Sequence, residues 1–152
     1  MSKRILVSSL IGVGVIGVVA VGGFAMASTS SPDSKTTVKD SSTRYVGPTG
    51  ARAGSLTFTT DVSDDSGIRG LKVLAWPASS KLDPGAAEMR HVESAKCRSV
   101  SDEKSRCTYA LKVTQKDADE LDKGAWHISA LATAKDGDTK FVPRAGAFDV
   151  TR

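Results

Sequence analysis

This chain predicts an all-β fold, a two-sheet antiparallel sandwich of about seven strands, on three observations. First, Leu56, Phe58, Thr60 and Val62 alternate with Thr57, Thr59, Asp61 and Ser63. Trp126, Ile128, Ala130, Ala132 and Ala134 likewise alternate with His127, Ser129, Leu131 and Thr133. Period two places one apolar face on a core and one polar face in water. Second, turn chemistry recurs at short spacing, at Asp64–Gly67, Pro77, Ser101–Lys104, Asp136–Gly137 and Pro143. Third, no amphipathic stretch is long enough for the crossover helix that parallel strands need. A small β-barrel is the alternative.

The chain has 152 residues and opens MSKRILVSSLIGVGVIGVVAVGGFAMAS. Lys3 and Arg4 precede an uncharged apolar run, and Ala25-Met26-Ala27 fits a small-x-small cleavage site. Residues 1–27 read as a secretory signal peptide. An uncleaved anchor is the competing reading, because the 23 uncharged residues from Ile5 to Ala27 can cross a hydrocarbon core of about 30 Å. Cleavage is favoured by the AMA site, the recurring glycines and the absence of a basic stop-transfer cluster. Residues 28–43, rich in Ser, Thr, Asp and Lys, read as a disordered polar linker that buries too little apolar area to offset its ordering entropy. Residues 44–152 are the expected folded domain, with Arg44-Tyr45-Val46 as a short first strand stopped by Gly47-Pro48.

The formal charge of +4 falls to +2 without Lys3 and Arg4, with 19 basic against 17 acidic residues, intermixed along the chain. That balance gives no reason to expect nucleic acid or an anionic membrane as partner. The domain reads as a monomer with a mixed, solvated surface.

Leu56 to Trp76 reads as two strands joined by the acidic turn Asp64–Gly67, in effect a hairpin. Leu71, Val73 and Ala75 line one face of the second strand, with Leu74 and Trp76 on the other, so it is central or has its outer face covered by a loop. Pro77 to Met89 is a long connection with one helical turn expected after Asp83 and Leu82 and Met89 as its anchors. His91–Cys97 and Cys107–Val113 read as a hairpin. With Cys97 opposite Cys107, Glu93 would face Leu111, a poor inward match that hints at a bulge or a shifted register. Gln115 to Lys123 allows a short helix capped by Thr114 or Asp117, with Leu121 closing the end of the core. Asp136-Gly137 favours a type I′ hairpin turn. Thr139–Val142 is then the return arm, broken by Pro143, and Ala147–Val150 a final strand.

Cys97 and Cys107 are the only cysteines, with nine residues between them, in a chain that reads as exported. A disulfide is the expectation; the spacing is not a CxxC motif and two cysteines do not make a structural zinc site.

Catalytic signals are weak. His91 and His127 are the only histidines, and no HExxH or nucleophile elbow is present. The one oxygen-rich constellation is Asp61, Asp64 and Asp65 with Asp136 and Asp138. If the two turns met at one pole they could offer hard oxygens to calcium, which takes about six to eight; without EF-hand spacing, ordinary turn and surface aspartates are the plainer reading. No other cofactor is expected.

The run TFTTDVSDDSGIRGLKVLAWPASSKLDP resembles the opening of secreted bacterial immunoglobulin-like domains. Together with the pair Cys97 and Cys107 and the run KGAWHISALATAKDGDTKFVPRAGAFDV, it is similar to an uncharacterised family of small exported proteins from Streptomyces and related actinobacteria. The resemblance covers about Tyr45 to Arg152. It implies an immunoglobulin-like fold outside the cytoplasm and carries over no catalytic residue. The expected function is a secreted, non-enzymatic β-sandwich module, binding or structural at the cell envelope. Its partner would be an extracellular protein or a cell-wall component. The alternatives are an inhibitor of an extracellular enzyme, acting through the Pro77–Met89 loop or the tip near Asp102, and, last, a small hydrolase.

Overall fold

The computed structural model describes residues 35–151. The expected signal peptide and the first part of the expected linker lie outside the described residues. Seven strands form: β1 (Thr37–Val46), β2 (Gly54–Ser63), β3 (Ile68–Pro77), β4 (Lys96–Ser99), β5 (Lys104–Val113), β6 (Gly124–Ala134) and β7 (Thr139–Val150). A 3₁₀ helix (Glu88–His91) precedes β4, and one short helix, α1 (Gln115–Glu120), joins β5 to β6.

The strands divide into a four-stranded sheet, ordered β1-β2-β5-β4, and a three-stranded sheet, ordered β3-β6-β7, with every pairing antiparallel. With strands lettered in chain order, this is the ABED and CFG arrangement of a constant-type immunoglobulin domain. The sandwich expectation holds, and the two separate ladders replace the barrel alternative.

The core lies between the sheets. Phe58, Val62, Cys107 and Tyr109 face Leu71, Val73, Ile128, Ala130 and Ala132. The small side chains Ala130 and Ala132 let the sheets approach closely. Burying a large apolar side chain stabilises by about 1.5–3 kcal/mol, so the alternation in β2 and β6 drives the packing directly.

Several expectations change. The linker expected over 28–43 ends early, because β1 begins at Thr37 and pairs with β2 from Thr37↔Ser63 to Val46↔Ser55. This strand is polar and is held by its ladder rather than by apolar burial. It contains a bulge between Lys39 and Ser42, where Asp40 takes φ 54°. The Thr60 hydroxyl donates to the Lys39 carbonyl at 2.8 Å and ties the bulge down.

Leu56–Trp76 is not a hairpin. Both ladder edges of β2 are taken by β1 and β5, so the chain crosses at Asp64–Gly67 and β3 joins the other sheet.

The strand expected over His91–Cys97 is only half formed. Cys97 does lie opposite Cys107, but pairing with β5 covers only Lys96 to Ser99. Before it, the chain leans on β3 instead: Val73 N–H donates to the Glu93 carbonyl at 3.0 Å and Ala95 N–H to the Leu71 carbonyl at 2.8 Å. Continuing along β5 would have set Glu93 against Leu111, and changing sheets avoids that mismatch. His91 lies in the 3₁₀ helix. Of the two expected loop anchors, Met89 is fully buried, whereas Leu82 is 46 % exposed.

The β6–β7 turn is not type I′. Only Gly137 takes positive φ (101°), and Gly137 N–H donates to the Ala134 carbonyl at 3.2 Å. This is a type I turn followed by a left-handed glycine. β7 runs unbroken through Pro143, with the register shifting between Ile128 and Ala130. The proline sits on an edge strand at an irregularity, where the missing donor costs least, and the buried Ser129 hydroxyl donates to its carbonyl at 2.7 Å.

The disulfide Cys97–Cys107 forms between directly opposed residues with Cα atoms 3.9 Å apart. It pins the short β4 to the sheet, and closing so short a loop is worth about 2–3 kcal/mol on chain-entropy grounds. Thr114 caps α1 through a reciprocal bond with Asp117, whose carboxyl these bonds hold below its usual range.

Candidate functional site

Two features stand out, one at each end of the sandwich.

At one pole the Asp64–Gly67 turn meets the β6–β7 turn. Carboxylate oxygens of Asp64, Asp65 and Asp136 lie within 4.8 Å of one another. Asp64 is buried. It accepts from Thr36 Oγ1 at 2.7 Å and from the backbone N–H and hydroxyl of Ser66 at 2.9 and 2.6 Å. Burial alone would raise its pKa, but these donors outweigh burial and hold it below the usual range. Lys35 pairs with Asp65 and also feels Asp64 and Asp136, so the cluster has a cation of its own. Asp138 is held above its usual range, chiefly by the charge of Asp136 beside it. Of the five aspartates singled out in sequence, Asp64, Asp65 and Asp136 come together, with Asp138 within electrostatic reach. Asp61 does not join them. It lies on β2, where Arg106 Nε donates to it at 2.8 Å and Lys104 Nζ stands 2.9 Å away.

At the other end the core is open. β4 pairs with β5 only as far as Thr108, and Glu93–Ala95 follows β3 only as far as Val73. Beyond those points the outer edges of β3 and β5 face each other across a gap, and the 78–92 loop drapes over it. The gap is a cleft of about 600 Å³, within the range of small-molecule sites. Leu111 and Val113 of β5, Ala75 of β3, Trp126 of β6 and Phe148 of β7 form its walls, and Leu121 closes one end.

The cleft reaches around the free edge of β3 to Leu74 and Trp76 on the outer side. Trp76 is fixed there, its indole N–H donating to Ser129 Oγ at 3.0 Å. Phe148 stacks between Tyr45 and Trp126, with ring centroids 5.5 and 5.8 Å away, so these large rings present a preformed wall.

Polar groups gather at the mouth: Lys81, Asp83, Glu88, His91 and Glu93. Glu88 Oε2 accepts from Gly85 N–H at 2.9 Å and shapes the loop. The Tyr109 hydroxyl donates to Glu93 Oε2 at 3.0 Å. Burial of the Tyr109 ring and the charge of Glu93 push the phenol well above its usual pKa.

The two histidines lie apart in role. His91 is exposed on the cleft rim, while His127 packs against Trp76 at 4.9 Å between ring centroids. Among the described residues no hydrogen bond joins either to a carboxylate.

Sequence reasoning missed the cleft. Its walls read as ordinary core, and the gap exists because β4 is short. The one signal was the poor fit of Glu93 opposite Leu111.

Residues 38–132 match the model of a Family of unknown function (DUF5707). That span runs from β1 to near the end of β6, so β7 lies beyond it. Neither the curated proteins nor the solved structures contain a match to the chain.

Proposed function

The chain belongs to this family of unknown function, and from that premise we propose that it is a non-enzymatic binding module that takes an apolar ligand into the cleft between its two sheets. The carrying observation is the cleft itself: about 600 Å³, walled by Trp126, Phe148, Leu111 and Ala75, with polar groups only at its mouth. A preformed apolar cavity with few polar groups is the usual form of a small-ligand site.

The module works outside the cytoplasm, at the cell envelope. The signal-like N-terminus, the disulfide and the resemblance to exported actinobacterial proteins support that placement. An inhibitory role is the second reading, favoured by Val100, 61 % exposed at the disulfide-stapled β4–β5 tip.

The test uses Nile red, an uncharged apolar dye. Saturable fluorescence enhancement at one site per chain is expected. Ala75→Phe and Leu121→Trp, each of which enlarges a side chain lining the cleft, should each reduce it at least fivefold while the far-UV spectrum stays folded. No enhancement in the unmodified domain, or enhancement indifferent to both substitutions, overturns the proposal.

A further inference from the structure

The cleft has a chemical polarity that narrows its ligand. We infer that it takes a cationic amphiphile, with the apolar tail between the sheets and the positive head against Glu93. This rests on the cleft being the binding site.

The lining carries three carboxylates, Asp83, Glu88 and Glu93, against the Lys81 ammonium, and the Lys72 ammonium beside the lining is held on the Val92 carbonyl at 3.0 Å. The three are not equivalent. Glu88 is occupied in shaping its own loop through Gly85 N–H. Glu93 is held at both ends: its carbonyl accepts from Val73 N–H at 3.0 Å, tying it to the edge of β3, and its Oε2 accepts from the Tyr109 hydroxyl at 3.0 Å, tying it to β5. The residue therefore bridges the two strands that flank the opening, its carboxylate tied to β5 and its backbone to β3.

No cation pairs with Glu93 among the described residues, and its Oε1 accepts no hydrogen bond there. A carboxylate fixed over an apolar cavity with one oxygen unspent favours a positive head and repels a negative one. A wholly apolar ligand would leave that oxygen to water. The mouth is open to solvent, so the preference is a moderate one, of the size of an exposed ion pair rather than a buried one.

The chain contains two tryptophans, Trp76 and Trp126, and both line the cleft, so intrinsic fluorescence reads occupancy directly. The test titrates the domain with octyltrimethylammonium, octanol and octyl sulfate, all below their micellar concentrations. Octyltrimethylammonium should bind about three- to fivefold more tightly than octanol, and octyl sulfate weaker than octanol by a similar factor. The gap should shrink in high salt, because screening acts on the head and not on the tail. Glu93→Gln, which keeps an acceptor for Tyr109, should bring the cation and alcohol affinities within about twofold of each other. Equal affinities for the three heads, or tighter binding of the sulfate, overturns this inference and leaves the cleft reading standing. Failure of all three to bind overturns both.

Discussion

Asp61 is held by two cations on the neighbouring strand, and sequence alone assigned it elsewhere. Its side chain is almost wholly covered, yet it remains a carboxylate because Arg106 and Lys104 both reach it. Those partners hold its pKa far below the usual carboxylate range, Arg106 making the larger contribution. For a group whose folded pKa is depressed, the stabilisation is complete above the unfolded value, near 3.9. It is lost as pH falls from there toward the folded value. Asp64 and Asp117 act with the same sign; Asp138, raised by its acidic neighbours, acts against them. Thermal melts from pH 5 down to pH 2 should show a falling midpoint, with a shallower fall in Asp61→Asn, which starts from a lower midpoint at pH 7. An unchanged slope in that variant would remove Asp61 from the account. In melts at pH 7 the midpoint should not differ between EDTA and millimolar calcium, because Lys35 already meets the acidic turn cluster. A rise in calcium would make that pole a metal site.

At the scale of elements, the closeness of β1 and β7 shows how the two sheets are joined along one side. Gly146 of β7 lies over this contact. A Cβ there would stand 2.4 Å from Thr43 Oγ1 and 3.2 Å from the Phe58 ring, closer than packed atoms tolerate. Gly146→Ala should therefore cost about 1–3 kcal/mol, as overpacking does, measured by urea denaturation at constant m value. A neutral result would mean that β7 can move away from β1 without loss.

Legibility follows the same elements. β2 and β6 could be read because one face is apolar and the other is not, and the pairing of Cys97 with Cys107 could be read from compartment and spacing. Of β1 only the end, Arg44-Tyr45-Val46, could be read; Thr37 to Thr43 could not, since that part is held by ladder bonds to β2 and by a bulge tied to Thr60, neither of which leaves an apolar pattern. The change of sheets at Glu93–Ala95 was visible only as a misfit, because strand pairing is a long-range choice between two edges.

At the scale of the molecule, the cleft follows from incompleteness. A longer β4 would close the gap between β3 and β5, and the domain would be a sealed sandwich. Because β4 stops at the disulfide and the preceding chain crosses to β3, one end of the core stays open under the 78–92 loop. The acidic turns are at the far pole, so the apolar and ionic features are physically separate and respond to different probes. Sequence pointed to the acidic turns for a metal and to the Pro77–Met89 loop or the tip near Asp102 for an inhibitor; the cleft proposed as the binding site lies at the end opposite the acidic turns.

Entry of ligands into the inter-sheet cleft is read out by an amide and indole chemical-shift titration with octanol. Progressive shifts are expected at Ala75, Leu111, Val113, Leu121 and the indole N–H groups of Trp76 and Trp126, with Asp64–Gly67 and Asp136–Asp138 unmoved. Shifts confined to the acidic turns, or none at the cleft at saturating octanol, would contradict it.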